Sequence, residues 1–254
     1  MNNISIVIPM LNEADHIGNL LAHLLDNASR ENISEIIIVD GGSTDGSKEI
    51  VLNYMQAFRP RSKHAKKSLS TLFEEAKITC IDAPKGRAKQ MNLGAKHATG
   101  NILYFLHADS FPPKNFDTLI INEVKKGNEA GCFRMKFNSS HWWLRLAGQL
   151  TRLPWKACRG GDQSQFITTT LFNNMGGYNE DFTIYEDNEL IARLYERKQF
   201  VVIQKWLITS ARCYYTNGIW KLQYYYFRIY LKKWMGADAN ELNRYYKKHV
   251  CQVT

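Results

Sequence analysis

Ile36-Ile37-Ile38-Val39-Asp40-Gly41-Gly42-Ser43-Thr44-Asp45-Gly46 is the stretch that decides the fold. Four consecutive branched apolar residues show no alternation, so a strand built from them is covered on both faces, as in a parallel sheet with helices on each side. The run breaks at an acid, enters a glycine-rich turn, and a helix follows from about Ser47. Working back, Ile4-Ser5-Ile6-Val7-Ile8-Pro9 is a second run of the same kind. Between the two, residues 12–26 place Ile17, Leu20, Leu21, Leu24 and Leu25 on one helical face. Working forward, a strand over 78–81, a short helix over 86–98 closed by Gly100, and a strand over 102–106 continue the alternation. Strands alternating with helices at this spacing predict an α/β fold with a mainly parallel central sheet flanked by helices. Right-handed crossovers put the loops after each strand on one edge of that sheet. After Asp109 the rhythm changes: 129–137 and 164–170 read as strands, 186–198 as a helix, and 200–212 as one or two further strands.

The chain has 254 residues, 44% hydrophobic and 22% charged. That is enough for one large domain with its own core, and it excludes a disordered, collagen-like or coiled-coil chain. No run approaches the ~18 apolar residues of a membrane span, and the N-terminus lacks the basic segment of a secretory leader. Cys80, Cys132, Cys158, Cys213 and Cys251 are scattered with no Cys-x-x-Cys pair, which predicts reduced thiols, a cytoplasmic chain and no zinc site. The net charge of +9 is uneven. Residues 205–254 carry nine Lys/Arg against Asp238 and Glu241, and residues 59–77 carry six against Glu74 and Glu75. The second segment reads as solvated surface. No nucleic-acid-binding motif accompanies either, so nucleic acid is not an expected partner.

Three acid-bearing loops follow strands: Pro9-Met10-Leu11-Asn12-Glu13, Asp40 to Asp45, and His107-Ala108-Asp109. Glu13 and Asp45 also suit helix N-termini, and Asp109 suits the turn before Pro112-Pro113. Together they converge on the carboxyl edge of the sheet, where open α/β sheets bind ligands.

Four stretches, in order, carry a resemblance. They are Ile8-Pro9-Met10-Leu11-Asn12-Glu13, Val39-Asp40-Gly41-Gly42-Ser43-Thr44-Asp45-Gly46, Leu106-His107-Ala108-Asp109 and Tyr185-Glu186-Asp187. The chain resembles the inverting family 2 glycosyltransferases of the GT-A (nucleotide-diphospho-sugar transferase) fold. A finer resemblance is to the arsenosugar-biosynthesis-type, radical-SAM-associated subgroup. It rests on Gly86-Arg87-Ala88-Lys89-Gln90-Met91-Asn92, Phe105-Leu106-His107-Ala108-Asp109, Gly161-Asp162-Gln163, Thr209-Ser210-Ala211-Arg212 and Asn217-Gly218-Ile219-Trp220.

The resemblance implies a glycosyltransferase domain over 1–218, with a nucleotide-binding half (about 1–110), an acceptor half (about 111–218) and a helical segment over 219–254. It implies transfer of a sugar, with inversion, from a UDP- or GDP-sugar to a hydroxyl acceptor. By the family pattern Pro9 and Glu13 bind base and ribose, Asp40 hydrogen-bonds the base, and Arg87, Gln90 and His107 contact the nucleotide. Where the family usually shows a second Asp after Asp40, this chain has Gly41. Asp109 matches the last acid of the family's Asp-x-Asp motif, which holds a divalent cation, Mg²⁺ or Mn²⁺. His107 replaces the first acid; it touches the ribose or diphosphate, tilts the preference toward Mn²⁺, or bonds the backbone. The general base matches Asp187, with Glu186 orienting the helix or acceptor, Asp162 as the rival base and Gln163 on the acceptor side. A sugar nucleotidyltransferase shares the layout, but it needs a glycine-rich phosphate loop where Pro9 to Glu13 stand. A non-catalytic GT-A scaffold is favoured by Gly41 and His107 and opposed by Asp109 and Asp187.

In the tail, Trp220, Tyr224, Phe227, Leu231 and Trp234 recur at spacings of four, three, four and three, one continuous stripe. The expectation is a helix whose stripe packs on its own domain or on a second copy in a homodimer. The alternative is a peripheral helix at the inner membrane face, with Lys221, Arg228 and Lys232 near lipid phosphates.

Overall fold

The computed structural model describes residues 2–57, 77–160 and 163–250. The basic segment, apart from Lys77, and the rival base Asp162 lie outside the described residues. The strands are β1 (Ile4–Met10), β2 (Ile33–Asp40), β3 (Lys77–Asp82), β4 (Ile102–Phe105), β5 (Ser110–Phe111), β6 (Ala130–Phe137), β7 (Gln165–Thr168) and β8 (Val201–Thr209). They form one sheet in the order β3-β2-β1-β4-β7-β6-β8-β5. The pairs β1 with β2, β1 with β4, β2 with β3, and β6 with β8 are parallel; β7 pairs antiparallel with β4 and β6, and β5 with β8.

The unbroken apolar runs behave as expected of strands covered on both faces. Ile4, Ile6, Ile8, Ile36 and Ile38 join one core cluster with Ile17, Leu20, Leu21 and Leu24 of helix α1 (Ala14–Asn27). Val7, Ile37 and Val39 point the other way, into a second cluster with Met91 of α3 (Arg87–His97). Gly94 lets α3 lie close on the sheet, since a Cβ there would sit 2.4 Å from a Val7 methyl. The chain runs from β1 to β2 to β3 in one direction, α2 (Ser47–Ala57) making the second crossover. Helix α3 then carries it back to β4, on the opposite side of β1. This reversal between β1 and β4 is a topological switch point, where the loops leaving two neighbouring strands part and open a crevice.

The sequence reading does not anticipate α4 (Phe116–Lys125), α5 (Trp142–Leu150) or α6 (Thr169–Asn174). The run Thr168-Thr169-Thr170 imitates a strand through its β-branched residues. The Thr168 hydroxyl instead accepts a hydrogen bond from the Leu171 N–H and caps α6, so β7 stops early. Beyond α7 (Glu186–Glu196) and β8 come α8 (Arg212–Asn217), α9 (Ile219–Trp234) and α10 (Ala239–His249).

Helix α9 overturns the expectation that its stripe packs on its own domain. It packs through Leu222 and Ile229, with Ile229 joining Phe182 and Leu242 of α10 in a small third cluster. The predicted stripe faces away: Trp220 is 55% exposed, Tyr224 54%, Phe227 61% and Trp234 84%. At about 100° per residue, Leu222 and Ile229 lie roughly opposite that stripe. Because α9 is apolar on nearly every side, periodicity alone does not select the buried face. No helix among the described residues is long and apolar enough to cross a membrane.

Candidate active site

The loops after β1 and β2 are stitched together. Asn12, at a left-handed φ of 55°, donates its N–H to Ser43 Oγ (2.9 Å) and accepts at Oδ1 from the Thr44 N–H (2.9 Å). The Glu13 N–H donates to Ser47 Oγ (2.7 Å) and the Ala14 N–H to Asp45 Oδ2 (2.9 Å). Asp45 therefore serves the start of α1. Slight burial, which raises its pKa, is outweighed by hydrogen bonds from Ser47 and Ala14, and the carboxyl lies below its ordinary value. Asp40, at the end of β2, is buried and accepts from the Ser43 hydroxyl (2.6 Å) and N–H (3.1 Å). Gln90 is also buried, and its amide donates to Met10 O (2.8 Å) and Val39 O (2.7 Å), tying β1 to β2. A Cβ at Gly41 would lie 3.0 to 3.3 Å from the Gln90 carboxamide. Gln90 thus takes up the space beside the position where the family usually carries its second acid.

Two charged clusters form on the loop after β4, one at Asp109 and one at His107. In one, the Arg212 guanidinium, from the first turn of α8, pairs with Glu13 and lies 3.6 Å from Asp109 Oδ2. The other Glu13 oxygen, Oε2, is buried with no hydrogen-bond partner among the described residues. In the second cluster, Asp187 Oδ2 lies 3.9 Å from His107 Nε2 and 4.0 Å from Arg87 Nη1. Arg87 also donates to Glu186 Oε1 at 3.2 Å. Tyr185 holds a left-handed φ of 71° at the N-cap of α7, an uncommon conformation for an aromatic residue, and puts Glu186 and Asp187 in the first helical turn. There the amide dipoles favour negative charge. Burial above all pushes the Glu186 carboxyl up to about 7; Arg87 works against this and Asp187 with it. A tight cleft lined by Phe105, His107, Ser164, Gln165 and Asp187 adjoins this pair.

Other expected residues lie elsewhere. Pro9 is a β1 residue paired with Val39. Gln163 is buried: Arg159 Nη1 donates to its Oε1 (2.7 Å) and its own amide donates to Cys158 O (2.7 Å). Arg159 further donates to Thr151 O (2.5 Å) and Leu153 O (2.6 Å), so this network pins the segment after α5. A cleft of about 700 Å³ lies apart, against α3, α6 and α7. Two of its polar lining residues are engaged internally, Arg193 donating to Met175 O and Gly177 O and Asn92 to Tyr178 O. Arg212 is the site residue that sequence reasoning placed only within a resembling stretch; its signal was its place just after a strand, on the same sheet edge as the other loops.

Among the described residues no cluster of three His, Cys, Asp or Glu side chains could hold a metal ion by itself. Asp109 and the unpartnered Glu13 Oε2 are nonetheless hard oxygen donors on one side of the crevice. They fit Mg²⁺ or Mn²⁺ of the kind that completes its shell with water and substrate phosphates.

The model of glycosyl transferase family 2 matches residues 5–184, and the chain belongs to that family. Glycosyltransferase AglE of Haloferax volcanii is 29% identical over 109 residues, 43% of this chain and 31% of the relative. Among solved structures, Staphylococcus aureus TarS 1-349 in complex with UDP superposes with a TM-score of 0.62 at 15% identity, over 82% of this chain and 60% of TarS. The mannosyltransferase PcManGT of Pyrobaculum calidifontis, in complex with GDP-Man and Mn²⁺, superposes with a TM-score of 0.64 at 18% identity, over 98% of this chain and 68% of its own. The chain thus spans about a third of AglE and three fifths of that TarS chain, and the two structures establish the shared GT-A fold.

Proposed function

We propose that this family 2 glycosyltransferase moves a sugar, with inversion, from a nucleoside diphosphate donor to a hydroxyl acceptor, with Asp187 as general base. The observation that carries the reading is the pair of charged clusters on the loop after β4, Asp187 with His107 and Arg87, and Arg212 with Glu13 and Asp109. In an inverting displacement the hydroxyl attacks the anomeric carbon opposite the departing diphosphate. A carboxylate on the attacking side removes the proton as charge develops, typically worth ~10²–10⁴-fold. Arg87 and Arg212 are the cations in reach of a diphosphate, and guanidinium groups suit phosphate oxygens. Burial pushes the Glu186 carboxyl up, which reduces the second negative charge beside Asp187. Asp109, with Glu13 beside it, would hold a divalent ion, which would supply charge neutralisation at the leaving diphosphate. Asp40, Gln90 and the stitched loops act as the frame of the base-binding side. The UDP and GDP-Man bound to the two structural neighbours support a uridine or guanosine diphosphate donor. The stretches shared with the arsenosugar-biosynthesis-type subgroup include Arg87, Asp109 and Arg212, which supports the finer placement.

The test is titration calorimetry with UDP and GDP, with and without Mn²⁺, beside a transfer assay over UDP- and GDP-sugars. Asp109→Asn should remove the metal-dependent part of nucleotide binding. Asp187→Asn should leave nucleotide affinity nearly intact and depress transfer at least ~10²-fold, because the lost contact is made mainly in the transition state. If Asp162→Asn shows that split and Asp187→Asn does not, the base is Asp162. No binding of either nucleotide sinks the reading.

A further inference from the structure

The outward face of α9 is the feature that the transfer reading leaves unused. Trp220, Tyr224, Phe227 and Trp234 stand more than half exposed on the side opposite the packed Leu222 and Ile229. A second apolar stripe joins it. On α5, Trp142 is 60% exposed and Leu146, one turn on, 44%, while Leu144 and Gly148 are buried. The two helices meet in a tryptophan cluster: the Trp220 ring lies 5.8 Å from Trp142 and 5.4 Å from Trp143, whose indole N–H donates to Gln223. Exposed aromatic surface of this extent on one side of a soluble domain marks a place of contact.

The charges beside this face indicate what covers it. Helix α9 carries Lys221, Arg228, Lys232 and Lys233 and no carboxylate; α5 carries Arg145 and no carboxylate. Lys221 and Arg228 flank the stripe, and the Arg228 guanidinium lies 5.9 Å from the centre of the Tyr224 ring. Against a second copy, a two-fold interface would set these cations opposite their own kind, with no acid on either helix to relieve the repulsion. Aromatic side chains at the water boundary with basic residues alongside match the surface of a bilayer bearing anionic headgroups.

We propose that the joined faces of α5 and α9 dock this protein on anionic lipid bilayers, with the aromatic stripe in the interfacial layer and Lys221, Arg228 and Arg145 at the lipid phosphates. Docking would set the catalytic side of the molecule beside the lipid: the Tyr230 ring of α9 lies 5.4 Å from that of Tyr185, and its hydroxyl donates to Asn188 Oδ1 of α7 at 3.4 Å. The proposal goes beyond the transfer reading and needs no donor to test.

The experiment is co-sedimentation of the full chain with vesicles of phosphatidylcholine, alone or mixed equally with phosphatidylglycerol, at about 0.1 M salt. The protein should partition onto the anionic vesicles and be released by high salt. Phe227→Asp combined with Trp234→Ala should lower the partition coefficient at least ~10-fold, as should Lys221→Glu with Arg228→Glu. All variants should keep the parent melting temperature, because the altered side chains are exposed or half-exposed. Failure of the parent chain to sediment with anionic vesicles overturns the proposal. So does a dimer in solution that Phe227→Asp splits, or an early melt in Phe227→Asp, either of which shows that protein already covers this face.

Discussion

Helices α1 and α9 carry apolar stripes of comparable regularity, and the molecule treats them in opposite ways. In α1, Ile17, Leu20, Leu21 and Leu24 are sealed to 0–1% exposure against β1 and β2. In α9 the stripe from Trp220 to Trp234 faces out, and the less regular Leu222 and Ile229 face in. The difference teaches that periodicity defines a face but does not supply its partner. Helix α1 is a crossover between adjacent parallel strands, so connectivity lays it on the sheet with no freedom to turn over. Helix α9 comes after the last sheet strand, and among the described residues it rests on α10, α8, the segment around Phe182, the tryptophans of α5 and the start of α7. Which side of α9 is buried is therefore chosen by packing against a few residues.

The largest expected effect that could break this comparison is on folding stability. Leu20→Ala should cost about 2–5 kcal/mol in urea denaturation, as for other fully buried leucines. Phe227→Ala should stay within about 0.5 kcal/mol of the parent, as surface substitutions do. Equal losses in the two variants would mean that the α9 stripe is covered after all. Next in size is Gly94→Ala, in which the new methyl meets Val7 across the α3–β1 contact; about 1–3 kcal/mol should be lost. A neutral result would show that α3 has room to move off the sheet, and the sheet half would be less tightly determined than its packing implies.

A third expectation concerns pH. Burial raises the folded-state pKa of Glu186 from 4.5 to about 7, so the native protein holds a proton there that the unfolded chain releases. This contribution to stability is fully present below pH 4.5 and is lost as the pH rises through about 7. Glu186→Gln should flatten that part of the stability profile measured by denaturant titration. A slope unchanged in Glu186→Gln would assign the proton to another group.

The residues that were legible in the sequence share a property. The strands at 4–10 and 33–40, the helix at 14–27 and the acid-bearing loops after β1 and β4 are set by local chemistry: unbroken β-branched runs, a helical stripe, and carboxylates just past strand ends. The same local signals mis-set the end of β7, where three threonines read as strand and one became a cap. Gln90 and Gln163 fell in resembling stretches and were read as ligand contacts. In the structure their carboxamides bond Met10, Val39, Cys158 and Arg159. Nothing in their neighbours in sequence distinguishes a glutamine that meets a substrate from one that ties two backbone segments.

The sequence by itself determined that this chain builds an α/β sheet with its chemistry on one edge, because backbone preference and side-chain period act over a few residues and repeat along the strand or helix. Only the tertiary structure decided that Arg212 reaches Glu13 across 199 residues, that Asp187 stands beside His107, and that the aromatics of α9 are left outside. Those outcomes depend on where the crossovers deliver segments distant in sequence and on which surfaces remain uncovered once the sheet is complete, and neither is encoded in any window of neighbouring residues.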